Sequence, residues 1–486
     1  MIQSLHILRK DIRHLWVDLT LYAGLLVASS VTIPMGWNGA NGANAGLLVF
    51  AGLLNVLIPL LWLVLIARLI HDESLVGDTQ FWITRPYTWA SLLGAKLLFI
   101  LLCLVLPFAL AQWAVVLQGG LNPLHSIAGQ LLILLVTALI VWLPFTVVAA
   151  VTSTVQRMFM SMLAVVIFWG AALTFIGSTA GRRMPLPFAS EVFAIVIGGL
   201  LIGILLYQYA SRNTFASRIA LVATALLFVV LFSCLVGGEV QAPINLFVRH
   251  HYPLSTDGSL RLVFDSSSIP SQDQGKGEHI LDKQVIVRLP VSMQGLDPTA
   301  QLDDQNVSFT IDAPGYHYTS PWRPADLEED TLMLLIPQRA LDEAHGSNVR
   351  VHLSEVAQRL LPDTPQTVTV ADSFSIPGNG VCHLIANLSG YNVSCRYPFQ
   401  ISSRTTIRAT VANVSCSIPG ATHAGIETLG ARSRGTGIDP TIEVPLRLGG
   451  TVCPGTQLSF VTYHAGENLR LELDIPEVSL DRYAVR

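Results

Sequence analysis

The sequence predicts a membrane-embedded α-helical bundle of about seven transmembrane helices, followed by an all-β, sandwich-like soluble ectodomain. Three observations carry this reading. Half of the 486 residues are hydrophobic and only 13% are charged, against roughly 25% in soluble proteins. Between Val17 and Gly238 the charges gather in short loops. Beyond Gln241 the apolar residues recur with a period of two, and Gly, Pro, Asn and Asp punctuate them, which is the strand signature. The net charge is −4 and no basic block occurs, so a nucleic-acid partner has no support.

Residues 1–16 read as an amphipathic interfacial helix. Leu5, Leu8, Ile12 and Leu15 line one face and Arg9, Lys10, Asp11 and Arg13 the other, so the helix is expected to lie in the membrane interface with its apolar face down. A signal peptide is the rival reading, but no small-residue cleavage site is obvious.

Residues 17–240 form the expected bundle. Its spans are 17–35, 46–70, 91–117, 127–152, 158–178, 190–210 and 218–238, each close to the ~20 apolar residues that cross the hydrocarbon. Pro59, Pro107 and Pro144 fall inside spans and are expected to kink them. Gly199 and Gly203 form a GxxxG that permits close helix approach. Asp18 and Lys96, near the inner span ends, are expected to snorkel to the interface. With the N-terminus inside, the inner segments hold Arg9, Lys10, Arg13, Arg68, Arg85, Arg157, Arg212 and Arg218, and the outer loops only Arg182 and Arg183. This bias predicts a cytoplasmic N-terminus, and an odd number of spans then carries the C-terminal half outside an inner or plasma membrane.

Between the second and third spans lies a polar stretch bearing Asp72, Glu73, Asp78, Phe81, Trp82, Thr84, Arg85 and Pro86, followed by Leu92, Leu93 and Lys96. Pro86 disfavours helix at Arg85, and Thr88 is placed to cap the next helix. An acidic start, an aromatic, Arg-Pro and Leu-Leu-x-x-Lys resemble the cytoplasmic coupling segment of type-2 ABC exporter permeases. The resemblance covers about the first 215 residues. It implies a transport subunit whose coupling residues are Glu73, Asp78, Phe81, Trp82, Arg85 and Pro86. It also implies a second permease half, as homo- or heterodimer, and a separate ABC ATPase subunit docking on that segment. No G-x-x-x-x-G-K-[ST] occurs in the chain, so ATP would be bound by the partner and no cofactor by this protein. The seventh span and the ectodomain depart from the six-span pattern of that family. The alternative function is a membrane-anchored binding or scaffolding protein with a degenerate permease bundle.

From Ala242 onward, strands are expected at 260–262, 285–289, 308–311, 349–353, 367–370, 407–411, 442–448 and 469–473, with a short helix at 339–345. Residues 241–378 and 379–486 read as two sandwich-like parts. Of six cysteines, Cys103 and Cys234 lie in apolar runs, while Cys382, Cys395, Cys416 and Cys453 lie in the soluble half. An even set in one region points to disulfides and an oxidising compartment. Sequence proximity favours Cys382–Cys395 and Cys416–Cys453 among three connectivities; four unpaired small residues is the other reading. His250, His251 and His383 lack ligand-spaced companions, and no catalytic Ser/His/Asp or carboxylate pattern stands out, so no enzymatic activity or metal site is expected.

Overall fold

The computed structural model describes residues 2–38, 45–73, 88–180, 188–237, 241–255, 260–268, 284–297, 299–325, 327–328, 331–376, 380–387, 390–398, 407–413, 427–429, 439–446 and 454–484. Two compact units result. One comprises Met1–Gly170, Ser190–Phe228 and Asp363–Tyr463; the other comprises Ala171–Ala189, Val229–Pro362 and His464–Arg486.

The first half is helical: α1 (Ile2–His14), α2 (Trp16–Asn38), α3 (Ala45–His71), α4 (Trp89–Phe99), α5 (Leu106–Gln118), α6 (Ile127–Thr137), α7 (Leu143–Val151), α8 (Val155–Ala180), α9 (Phe188–Ser211) and α10 (Thr214–Gly237). Five helical stretches among the described residues are long and apolar enough to cross a membrane: Trp16–Met35, Val49–His71, Trp89–Gln118, Ile127–Val151 and Thr214–Leu231. Val155–Phe168 and Ile195–Ser211 are apolar but shorter. The side chains facing outward are largely Leu, Val, Ile and Phe, the surface expected of helices that meet lipid rather than water.

Inside, the bundle is packed around aromatics. Trp62 meets Phe108 and Trp142 edge to face, with ring centroids 5.1 and 5.3 Å apart, an arrangement aromatic quadrupoles favour. The Tyr22 hydroxyl donates to the Leu104 carbonyl at 3.0 Å, which removes the cost of burying it. Two of the expected proline distortions take a specific form. A wide π-helical turn over Ile100–Val105 precedes Pro107, and another over Ala138–Trp142 precedes Pro144. Proline lacks the N–H for the carbonyl four residues back and its ring crowds that carbonyl; an inserted wide turn relieves both. Pro59 lies within the unbroken helix α3.

The stretch after residue 240 opens with a helix, α11 (Gln241–His251), rather than a strand. Val248 and Tyr252, four residues apart, pack with Val356 and Trp322, and the Trp322 indole donates to Asn245 at 2.9 Å. That apolar pair at helical spacing outweighs the period-two reading. The β elements of this unit are β1 (Arg261–Phe264), β2 (Gln284–Leu289), β3 (Val291–Gln294), β4 (Gln301–Ala313), β5 (Tyr316–Thr319), β6 (Arg323–Pro324), β7 (Leu327–Glu328), β8 (Thr331–Pro337) and β9 (Val349–Pro362). The expected short helix is present as α12 (Gln338–Ala344). The ladders among these strands are antiparallel: β5–β4–β9 with β6 on β4, β2–β8–β7, and β1–β3. Inward-facing Val287, Leu289, Phe309, Ile311, Leu334, Val351 and Leu353 build one core, as alternation along half-buried strands requires.

In the other unit, β10 (Gln366–Thr369), β14 (Ile407–Asn413), β15 (Glu427–Leu429) and the first part of β17 (Gln457–Val478) form one set of ladders. A four-stranded sheet runs β11 (Ser373–Ile376), β12 (Gly380–Asn387), β13 (Gly390–Pro398), β16 (Thr441–Leu446). Cys382 and Cys395 face each other across β12 and β13 and are joined by a disulfide, the pairing expected from their proximity. Cys416 and Cys453 lie outside the described residues. Every strand expected from the sequence is present, with β4, β9 and β17 longer than their apolar cores.

Candidate functional site

Of the residues singled out between the second and third spans, Glu73 is described; Asp78, Phe81, Trp82, Arg85 and Pro86 lie outside the described residues, as does Thr84. On the far side of the segment, Thr88 accepts a hydrogen bond from the Ser91 amide and so caps α4, as the sequence predicts. Leu92 and Leu93 are buried at 1% and 5% exposure.

The geometry around Glu73 differs from an interfacial arrangement. Lys96 does not snorkel. Its side chain is 1% exposed, and its Nζ lies 2.8 Å from Asp11 Oδ2 and 3.2 Å from Glu73 Oε2. Lys10 closes the set, donating to Glu73 Oε1 at 2.8 Å. Two cations and two anions thus join α1, the turn after α3 and the body of α4. Lys96 enters α4 eight residues after its cap, where no water is at hand, so it takes carboxylate partners instead. A buried ammonium is tolerable only when paired.

The same demand turns α1. Ile7, Leu8, Asp11 and Leu15 face the bundle, while Leu5 and Ile12 are 53% and 38% exposed. The expected seam of Leu5, Leu8, Ile12 and Leu15 is therefore split, because the inward face must include Asp11. Ser4 adds a hydrogen bond to the Ser91 carbonyl at 3.1 Å. Around the quartet stand the Arg68–Asp18 ion pair at 2.5 Å and a contact of His14 Nε2 with Asp72 Oδ2 at 3.2 Å. The buried Tyr209 ring of α9 lies within electrostatic reach of both Glu73 and Asp11.

The two carboxylates are not equivalent. Burial pushes the Asp11 carboxyl above its ordinary value, and Lys96 only partly offsets this. Burial also works to raise Glu73, but Lys96 and Lys10 together outweigh it and hold that carboxyl below the usual glutamate value. Glu73 therefore has two cationic partners and Asp11 one close one. Asp11 Oδ1 has no hydrogen-bond partner among the described residues.

Chemically, the cluster is a neutral clamp. It presents no nucleophile and no open coordination sphere, and no group of three His, Cys, Asp or Glu side chains stands at metal-binding spacing among the described residues. A second polar chain lies far from it in sequence: Asp312, His317 and Thr319 are linked through both ring nitrogens of the histidine on the β4–β5 hairpin. The His317 and Asp312 side chains are 65% and 50% exposed, so this chain lacks the water-excluded surroundings in which such a relay activates a hydroxyl.

Sequence reasoning missed Lys10 and Asp11 as site residues. One signal was available: a lysine well inside a strongly apolar run calls for a partner. The partner's identity was not legible, because 85 residues separate Asp11 from Lys96. No family model matches the chain, and no curated protein matches its sequence.

Proposed function

We propose that this protein is the membrane subunit of an ABC-type transport complex, of the kind resembling type-2 exporter permeases. It would work with a second permease half and a separate ATPase subunit that supplies ATP binding and hydrolysis. Seven spans, a cytoplasmic N-terminus and an extracytoplasmic C-terminal β region complete this reading. The observation that carries it is the charge quartet. The elements that flank the segment 74–87 are tied to α1, through Glu73 on one side and through Ser91 and Lys96 of α4 on the other. A partner that pushes on that segment would therefore move α1, the end of α3 and the start of α4 as one body, and rigid-body motion is how such bundles switch access. Phe81 and Trp82 would supply the docking surface, since leaving large apolar side chains in water forgoes roughly 1.5–3 kcal/mol each.

The test is pull-down of the ATPase subunit and ATP hydrolysis in the reconstituted complex with Phe81→Ala/Trp82→Ala. Loss of ATPase binding and turnover in a protein that still inserts is the expected result. Wild-type binding and turnover would remove the coupling role and leave an anchored scaffold as the better reading.

A further inference from the structure

Strand β9 carries a carboxylate where its neighbours carry apolar side chains. Val349, Val351, Leu353 and Ala357 all face the core of their unit. Glu355 continues that alternation and is 0% exposed. Neither of its carboxylate oxygens has a hydrogen-bond partner among the described residues. The opposite face of the strand is covered as well, since Val356 packs against Val248 and Tyr252. Water therefore reaches Glu355 from neither side.

Its surroundings are apolar across both ladders. On β4 its cross-strand neighbour is Val307. On the other flank, contacts of Gln358 with Asn468 and of His352 with Asp474 set the offset between β9 and β17, which brings Leu471 opposite Glu355. The charged groups on the adjoining elements are engaged elsewhere. Arg359 meets Glu467, Arg470 meets Glu472 and His352 meets Asp474. On β4 Asp312 meets His317, and on α12 Arg339 meets Glu343. Arg350 of β9, Arg288 of β2, Asp303 of β4 and Arg249, His250 and His251 of α11 also carry ionisable side chains, and none of them bonds to a Glu355 carboxylate oxygen. Beside this point the β4–β9 ladder shifts register between Asp303 and Asn306. A bulge of this kind leaves a residue unpaired and is a place where a sheet yields locally.

We propose that Glu355 is a proton-operated switch in this β domain: the neutral acid keeps β9 closed between β4 and β17, and the ionised form drives the sheet to open at the neighbouring bulge. A neutral carboxyl is tolerated in an apolar core far better than a carboxylate, which must gain water or a cation. Burial alone pushes the Glu355 carboxyl from 4.5 up to about 7. The sign follows from proton binding. Between those two values the closed state holds a proton that the open state has released, so closure weakens as pH rises from 4.5 towards 7 and stays weak above it. Going from pH 5 to pH 8 should lower the closing equilibrium constant roughly 70-fold.

Hydrogen exchange of the full chain in detergent, corrected for intrinsic amide rates, reads this directly. The wild type should lose β9 and β4 amide protection by roughly 70-fold between pH 5 and pH 8. Glu355→Gln, neutral at both pH values, should show no such loss. Glu355→Met, which fits the core without a polar group, should behave the same way and stands in if the Gln variant folds poorly. Wild-type protection that does not change with pH, or an equal loss in the variants, would overturn the switch.

Discussion

Lys96 is the residue on which the packing of α1 against α4 depends. Among the described residues it is the one cation that touches both Asp11 and Glu73. Lys96→Met leaves the Asp11 carboxylate buried without its only close partner, and breaking one side of a buried pair costs about 3–5 kcal/mol. Adding Asp11→Leu removes the stranded charge, and Glu73 keeps Lys10. The double variant should therefore recover most of the loss, a comparison that tryptophan-monitored thermal unfolding in detergent makes directly. If the single variant unfolds at the wild-type temperature, the pair contributes nothing to stability. The pH dependence of the two acids runs in opposite directions. Glu73, held below its ordinary 4.5, supports the fold above that pH and ceases to as pH falls through its depressed value. Asp11, raised above its ordinary 3.8, opposes the fold at pH values above its own.

At the scale of the element, the strands were legible because alternation survives in short windows: 285–289 and 349–353 carry it without interruption. Segments such as β12 and β13 were not, because Cys382, His383, Ser394 and Cys395 break the apolar alternation and only pairing makes them strands. The π-helical turns were half legible. Pro107 and Pro144 announce a distortion, but nothing in the local sequence distinguishes a wide turn from a kink. The inward face of α1 was misread because a carboxylate was assigned to the solvent side by type rather than by partner. Gly380, at the start of β12, offers an element-scale test. A Cβ there would stand 2.4 and 2.7 Å from the Tyr397 ring and 2.8 Å from Ile376 Cγ1. Tyr397 is partly buried against the small core around the disulfide, to which Ile376 belongs, so neither retreats freely. Gly380→Ala should destabilise that sheet by about 1–3 kcal/mol, the range for overpacking. It should also raise exchange of the β11 and β12 amides ahead of the bundle helices. Unchanged exchange would mean that the tyrosine ring swings aside.

For the whole molecule, the separation between an apolar helical half and a mostly β C-terminal region was readable from composition, whereas the number of crossings was not. Val155–Phe168 and Ile195–Ser211 are apolar yet short among the described residues, and whether they cross depends on helix that composition alone does not bound. Topology is therefore a prediction at this scale. The eight-to-two split of Lys and Arg between the two sets of loops and the Cys382–Cys395 disulfide both favour an outside β region. Ser266 sits in an exposed turn after β1. In a variant freed of Cys103, Cys234, Cys416 and Cys453, Ser266→Cys should react with a membrane-impermeant thiol reagent in intact cells. Labelling only after lysis would invert the orientation and with it the side on which an ATPase could dock.

The long reach of the quartet also sets a timetable. At roughly 5–20 residues per second, a ribosome that has made Asp11 needs about 4–17 s more to reach Lys96, because 85 residues separate them. During that interval the Asp11 carboxylate lacks the lysine that it meets in the folded bundle. It cannot take its final seat until α4 has been synthesised and delivered to it. α1 is made before α4 yet settles only once α4 is in place, so assembly around the quartet waits on the later segment.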